Sequence, residues 1–183
     1  MRSRPLLISV LGGECTGKTA LCRSLAERYQ GLTFTEILRA WVEQAGRSPR
    51  QHEQRQIFQA QCDQEARQIE QASRAGLRAV FVDSGPVMTA VYSQVYFSDD
   101  SLLQESLRWQ LRYDLTLICA DDLPWVPDPG QRDGVDYRAR AQATLQDALG
   151  KGFSGAVARI DGLDAQRVMF ASRYVERLLS NPR

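Results

Sequence analysis

Short runs of apolar residues alternate along the chain with longer segments in which apolar and polar positions are mixed. Five such runs have the length and composition of strands, and they cover residues 6–11, 32–35, 79–82, 115–120 and 156–160. Most of them are apolar at successive positions, which is typical of strands that are buried on both faces. The pattern therefore predicts an α/β fold in which helices cover both sides of a parallel sheet.

Between these runs, apolar residues recur at helical spacing. The predicted helices cover residues 19–29, 37–45 and 51–75, a segment that begins at Pro86, a segment that ends at Arg112, and residues 137–149 and 164–179. The segment 51–75 is rich in Gln, Glu and Arg around a thin apolar stripe, so we expect a long and partly exposed helix there.

The region from about residue 121 to 155 differs in composition from the rest of the chain. It is rich in Pro, Asp and Arg and holds one helical segment, which is typical of a mobile lid. The chain shows no internal repeat and no linker that would divide it. We therefore expect a single domain over residues 1–183 that carries a lid.

Composition restricts the class of protein. The chain is 43% hydrophobic and 25% charged, which suits one compact domain with a substantial core. Its net charge of +1 gives no electrostatic reason to expect nucleic acid or a membrane as a partner, and no apolar run approaches the length of a membrane-spanning helix. The four cysteines form no C-x-x-C pair and His52 is the only histidine, so we expect reduced thiols in a cytoplasmic protein without structural zinc.

The segment between the first predicted strand and the first predicted helix carries the clearest chemical signal. It is Gly-Gly-Glu-Cys-Thr-Gly-Lys-Thr, and it fits the phosphate-binding spacing G-x-x-x-x-G-K-[ST]. The flanking strand and helix disfavour the alternative of a glycine-rich surface turn. Glycines allow successive N–H groups to converge on a phosphate, toward which the positive end of the helix also points.

We predict that this segment binds ATP and Mg²⁺. Lys18, one of only two lysines among 23 basic residues, would contact the β- and γ-phosphates, and the Thr19 hydroxyl would ligate the metal. The predicted nucleotide-binding residues are Gly12, Gly13, Glu14, Cys15, Thr16, Gly17, Lys18, Thr19 and Ala20.

Other polar residues follow the ends of predicted strands, where ligands bind in parallel sheets. Asp83 comes after the third strand and would hold Mg²⁺, directly or through water, or orient the attacking hydroxyl; it could equally cap the helix that begins near Pro86. Glu36 and Arg39 follow the second strand and would position an acceptor, or form an ordinary surface ion pair. Trp41, on the same helix, would either contact a heterocycle or lie in the core.

Three arginines of the predicted lid are candidates for stabilising charge on a transferring phosphoryl group. They are Arg132, Arg138 and Arg140, and we take Arg132 and Arg138 as the catalytic pair. The alternative for each is an exposed position in a loop of mixed charge.

Several segments together resemble the ribosylnicotinamide kinase domain of the bacterial NAD-biosynthesis regulator and its stand-alone relatives. The phosphate-binding segment is similar to that family's G-G-E-S-S-G-K-S, and Thr-Glu-Ile-Leu-Arg-Ala-Trp at 35–41 resembles its P-E-x-A-R-x-W/Y. Tyr-Asp-Leu at 113–115 and Asp-Leu-Pro-Trp-Val-Pro-Asp at 122–128 resemble its Y-D-L and D-x-P-W-x-x-D segments.

This resemblance implies a P-loop kinase with a five-stranded parallel sheet in the order 2-3-1-4-5, which phosphorylates the 5′-hydroxyl of nicotinamide riboside at the expense of ATP. It also implies that Trp125 contacts the substrate. The family usually has D-T-D after its third strand, whereas this chain has Asp83-Ser84-Gly85 and lacks the second carboxylate. A second hypothesis is an ATP-binding regulatory or partner-binding module without small-molecule kinase activity.

Overall fold

A computed structural model describes residues 4–34, 36–126, 134–150 and 152–180. In these residues the strands form one parallel sheet in the order β2-β3-β1-β4-β5, as predicted. The strands are β1 (Leu6–Leu11), β2 (Leu32–Phe34), β3 (Ala79–Asp83), β4 (Leu115–Cys119) and β5 (Val157–Ile160).

Helices connect the strands and cover both faces of the sheet. They are α1 (Lys18–Tyr29), α2 (Ile37–Ala45), α3 (Gln54–Arg74), α4 (Pro86–Phe97), α5 (Leu103–Gln110), α6 (Val135–Gly150) and α7 (Asp164–Ser180), with a short 3-10 helix (Gln51–Glu53) before α3. The predicted segments are all present, and the main difference is that the long segment 51–75 divides into the 3-10 helix and α3. None of the helices in the described ranges is long and apolar enough to cross a membrane.

The core lies on both sides of the three central strands. Along β1, Leu6, Ile8 and Val10 face α1 and α7, whereas Leu7 packs on the side of α3 and Leu11 on the side of α4 and α6. The expectation of burial on both faces holds for β1, β3 and β4. It is wrong for β5, in which buried and exposed residues alternate, because β5 is an edge strand that helices cover on one face.

Helix α6 occupies much of the region that the composition assigned to a lid. Its residues Ala141, Leu145 and Leu149 are buried against α4 in one apolar cluster. A helix held by buried apolar contacts opens less readily than an exposed loop. Residues 127–133, in the middle of the predicted lid, lie outside the described part of the chain.

Candidate functional site

The segment between β1 and α1, residues 12–17, takes a conformation that depends on glycine. Gly12 and Gly17 have φ angles of 148° and 76°, which side chains disfavour. A Cβ at Gly12 would lie 2.7 Å from the Thr16 hydroxyl and 3.0 Å from the Cys119 carbonyl oxygen. The close approach of the phosphate loop, as we call residues 12–19, to the end of β4 therefore requires glycine at this position.

One buried side chain fixes the start of the phosphate loop. Gln142 of α6 is 3% exposed, accepts a hydrogen bond from the Gly13 N–H at 3.0 Å and donates one to the Cys119 carbonyl at 3.0 Å. The loop is thereby attached both to α6 and to the end of β4. No local pattern indicates this role, because a single glutamine within a helical segment resembles any other polar position.

A buried arginine fixes the other half of the loop. Arg167 of α7 is 3% exposed and donates to the Thr16 carbonyl at 2.6 Å and to the Gly162 carbonyl at 3.0 Å. It also forms an ion pair with Asp122. Arg167 thus connects the phosphate loop with the segments that follow β4 and β5, a role that the sequence analysis did not predict.

Lys18 and Thr19 lie where the motif predicts them, at the start of α1. The Lys18 Nζ donates to the Gly13 carbonyl at 2.8 Å, across the phosphate loop. The Thr19 hydroxyl donates to Asp83 Oδ2 at 2.5 Å. The two predicted metal ligands are therefore adjacent, and a hydroxyl beside a carboxylate is a donor set that fits Mg²⁺.

A cavity of about 630 Å³ opens between the phosphate loop, α2 and α4. Lys18, Thr19 and Asp83 line it together with Glu36 and Arg39. The predicted residues Glu14, Cys15, Thr16, Gly17 and Ala20 also contribute to the lining. The carboxylates in this first cavity, Glu14, Glu36, Glu43 and Asp83, outnumber the cations, Lys18 and Arg39.

Glu36 occupies the N-cap position of α2 and faces the same cavity. Burial raises the pKa of its carboxyl group to about 7, and the neighbouring Asp83 charge raises it further, while Lys18, Arg39 and a hydrogen bond with Ser84 oppose the increase. Because β2 and β3 are adjacent, the carboxylates that follow them come together as the strand-end rule predicts. A carboxyl with a pKa near neutrality is suited to proton transfer.

The aromatic side of the first cavity does not come from the predicted tryptophans. Tyr92, Tyr96 and Phe97 of α4 line it, whereas neither Trp41 nor Trp125 is among the lining residues. The Arg47 guanidinium lies 5.0 Å from the centre of the Trp41 ring. The sequence analysis did not single out the aromatic residues of α4, because an aromatic residue at helical spacing is as well explained by packing in the core.

Trp125 is partly buried, and its Nε1 has no hydrogen-bond partner among the described residues. The sequence resemblance alone connects it to a substrate, so its contact with one stays a prediction.

Two of the three predicted lid arginines, Arg138 and Arg140, lie in the described part of the chain, and neither lines the first cavity. The Arg138 guanidinium donates to the Leu123 carbonyl at 3.0 Å, and its backbone covers the phosphate loop, since a Cβ at Gly13 would lie 3.0 Å from the Arg138 carbonyl oxygen. Arg140 donates to the Val95 carbonyl at 2.7 Å. Arg132 lies outside the described residues, so the structure does not place the predicted catalytic pair Arg132 and Arg138 together.

A second cavity of about 740 Å³ lies between α1 and α7. It shares Gly17 and Ala20 with the first cavity. Ser24 and Val168 border it from the two helices, and Leu123 from the segment after β4. The end of the phosphate loop therefore borders two cavities, each large enough for part of a small ligand.

The glycine that replaces the second carboxylate of the resembling family lies against a crowded part of the core. A Cβ at Gly85 would lie 3.0 Å from the Tyr113 hydroxyl and 3.4 Å from Ser9 Oγ. The Tyr113 hydroxyl cannot move away freely, because it donates to Glu65 at 2.5 Å. The surroundings of residue 85 therefore favour glycine.

The sheet order and the phosphate loop together define a P-loop kinase fold. Residues 7–160 match the family model described as AAA domain (AAA_28), so the chain belongs to that family. No curated protein matches the chain.

Solved structures show the same fold. The crystal structure of NadR protein in complex with NR has a TM-score of 0.75 and 20% identity, and that of NadR with NAD and AMP-PNP has a TM-score of 0.76 and 23% identity. Each likeness covers 98% of this chain but 52% and 51% of the respective NadR chains, so the chain spans about half the length of the NadR structures.

Two further structures match over nearly their whole length. Deoxyadenosine kinase from M. mycoides, with the products dCMP and dCDP, has a TM-score of 0.65 and 11% identity, and the likeness covers 94% of this chain and 100% of that one. Thymidylate kinase from Ehrlichia chaffeensis has a TM-score of 0.63 and 17% identity, and the likeness covers 96% of this chain and 99% of that one. At these identities the likeness shows the fold.

Replacing Gly85 by alanine tests the crowding around Tyr113. We expect Gly85→Ala to lower the free energy of unfolding by about 1–3 kcal/mol, because the added methyl group displaces a hydrogen-bonded hydroxyl. Gly134→Ala is the matched control, since none of the described residues comes within 4 Å of a Cβ at Gly134, and we expect a change within about 0.5 kcal/mol. Urea unfolding measures both values, and equal stabilities for the two variants would contradict the crowding.

Proposed function

We propose that this protein is an ATP-dependent kinase that phosphorylates the 5′-hydroxyl of a nucleoside, with nicotinamide riboside as the leading acceptor. The observation that carries the proposal is that the phosphate loop borders two cavities, with Lys18, Thr19 and Asp83 lining the first and Gly17 lining both. Phosphoryl transfer needs a donor and an acceptor on opposite sides of the transferred group, and catalysis consists largely of positioning and charge stabilisation.

On the donor side, the loop amides and the start of α1 bind the phosphates of ATP, and the second cavity accepts its nucleoside part. Lys18 exchanges its contact with the Gly13 carbonyl for the β- and γ-phosphate oxygens. Thr19 and Asp83 hold Mg²⁺, which when bound neutralises charge on the phosphates. These assignments draw support from the short hydrogen bond that joins Thr19 to Asp83.

On the acceptor side, Glu36 is placed to receive a hydrogen bond or a proton from the attacking hydroxyl. With a pKa of about 7, its carboxylate form is a stronger base than an ordinary carboxylate and is still populated near neutral pH. Arg39 lines the same side and positions the acceptor. Asp83 orients the hydroxyl from the side of the phosphate loop.

The chemistry of the first cavity favours a positively charged aromatic acceptor. Carboxylates outnumber cations in its lining, and Tyr92, Tyr96 and Phe97 provide aromatic surface. Cationic rings bind to aromatic faces and to carboxylates. The pyridinium of nicotinamide riboside has this charge, whereas the bases of ordinary nucleosides are neutral at pH 7. The NadR structure with NR is similar in fold.

A second candidate is an ATP-binding regulatory module that hydrolyses ATP slowly and responds to a protein partner. One observation favours it: the Arg138 and Arg140 guanidinium groups contact backbone carbonyls and do not line the first cavity. A kinase and a regulatory ATPase differ in whether ADP formation depends on a small acceptor.

ADP formation with a panel of nucleosides tests the proposal. We expect ADP to form only when an acceptor is present, and we expect nicotinamide riboside to exceed its uncharged 1,4-dihydro form at least tenfold in kcat/KM. The reason is that a desolvated cation–π contact contributes about 2 kcal/mol, or roughly thirtyfold in binding. The dihydro form is the matched control, since it has almost the same shape.

Two results would count against this assignment. Acceptor-independent ADP release that no nucleoside accelerates would favour the regulatory module. Equal use of the charged and uncharged ribosides would contradict the electrostatic argument while leaving a nucleoside kinase in place.

The pH dependence of kcat/KM tests the role of Glu36. Because only the deprotonated carboxylate accepts a proton, we expect kcat/KM for the acceptor to rise with pH and to level off above about 7. Glu36→Gln should remove this rise of kcat/KM with pH and lower kcat/KM by roughly 10²–10⁴-fold. Glu43→Gln is the control on the same helix, and its kcat/KM should still rise with pH. An unchanged profile in Glu36→Gln would exclude Glu36 as the titrating group.

A further inference from the structure

Glu65 of α3 is a carboxylate that lies outside both cavities and is completely buried, at 0% exposure. A buried carboxylate is costly unless hydrogen bonds compensate for the lost hydration. Three donors provide part of this compensation, and burial still raises the pKa of the carboxyl group. Trp109 Nε1 donates to Glu65 Oε2 at 2.8 Å, the Tyr113 hydroxyl donates to the same oxygen at 2.5 Å, and Gln61 Nε2 donates to Oε1 at 3.1 Å.

The contact with Gln61 fixes the orientation of a side-chain amide. Gln61 is one helical turn before Glu65 and 1% exposed. Its amide NH₂ points to Glu65, so its Oε1 points the other way and accepts the backbone N–H of Ile37 at 2.9 Å. If the amide turned over, two donors would face each other at Ile37. The carboxylate of Glu65 is therefore the reason that Gln61 presents an acceptor to α2.

Ile37 is the first residue of α2, and Glu36 is its N-cap. No side chain of α2 is fully buried, although Leu38 packs against the edge of the core. Helix α2 is thus held by fewer buried contacts than the central strands, and the bond to Gln61 occupies one of the backbone N–H groups that a helix start leaves without an internal partner. This bond lies directly beside the residues that line the first cavity.

We propose that Glu65 is a positioning residue for the acceptor side of the first cavity. By orienting the Gln61 amide it holds the start of α2 and thereby places Glu36 and Arg39 in the lining of the first cavity. The effect on α2 stands independently of the reaction, whereas the consequence for catalysis rests on the proposed nucleoside kinase activity.

A pair of substitutions separates hydrogen-bond direction from packing. In Glu65→Gln, the new amide oxygen must accept from Trp109 and Tyr113, so its NH₂ faces Gln61 and the Gln61 amide turns over. In the double variant Gln61→Glu/Glu65→Gln, the carboxylate at position 61 accepts hydrogen bonds from the Ile37 N–H and from the amide NH₂ at position 65. Every hydrogen bond is then restored, and the side-chain volume is nearly the same. Glu70→Gln is the control, since Glu70 lies on the same helix and pairs with Arg74 at the surface.

Hydrogen exchange of the Ile37 amide, followed by NMR without any substrate, is the first measurement. We expect the Ile37 amide hydrogen to exchange at least tenfold faster in Glu65→Gln than in the unmodified protein. In the double variant and in Glu70→Gln, its exchange rate should stay within threefold of that of the unmodified protein. Gln61→Leu removes the acceptor of Ile37 directly and should match Glu65→Gln, which keeps the test valid if Glu65→Gln does not fold. The proposal would be overturned if the Ile37 amide exchanged at an unchanged rate in Glu65→Gln or in Gln61→Leu. It would also be overturned if a folded double variant did not recover the slow exchange of the Ile37 amide.

Steady-state kinetics is the second measurement. We expect Glu65→Gln to raise the KM for the acceptor at least tenfold and to change the KM for ATP less than twofold. In the double variant, the KM for the acceptor should return to the value of the unmodified protein. Equal changes in both KM values would show a general structural effect and would overturn the positioning role. If the unmodified protein phosphorylates no nucleoside, the proposed function fails, while amide exchange still decides whether Glu65 holds α2.

Discussion

The hydrogen bond between Thr19 and Asp83 connects the two parts of the chain on which the site depends. Thr19 lies in the first turn of α1, and Asp83 ends β3, which pairs directly with β1. The parallel pairing of β1 with β3 brings the phosphate loop and the carboxylate to the same edge of the sheet. Because β2 is next to β3, Glu36 arrives at that edge as well. The first cavity is the space that these three strand ends enclose together with α4.

The two sides of this cavity are held differently. The phosphate loop is fixed by Gln142 and Arg167, two almost fully buried side chains from two helices. Helix α2 has no fully buried side chain and begins at a hydrogen bond with Gln61. A rigid loop suits the binding of phosphates, which are the same in every turnover, and a less buried helix suits the entry and release of an acceptor. The hydrogen bonds of Glu65 limit that freedom at the end of α2 nearest to the loop.

The sequence predicted those parts of the site whose signals are local. Each of these signals lies within a few residues of the side chain that it identifies. They are the glycine and lysine spacing of the phosphate loop, the apolar run that ends at Asp83, and the end of the strand pattern just before α2. Gln142, Arg167 and Glu65 have no such signal, because their partners are distant in the chain and a polar residue inside a helix is usually exposed. Tyr92, Tyr96 and Phe97 of α4 provide the aromatic surface of the first cavity, whereas the sequence pointed to Trp41 and Trp125, because a ring at helical spacing does not show whether it borders a cavity or lies in the core.

Calorimetric titration with a non-hydrolysable ATP analogue and Mg²⁺ tests whether the phosphate loop binds a nucleoside triphosphate through Lys18. We expect saturable binding at one site, lost in Lys18→Ala and retained in Arg23→Ala, whose exposed side chain lies on the same helix and lines neither cavity. Undiminished binding in Lys18→Ala, or no binding to the unmodified protein, would contradict it.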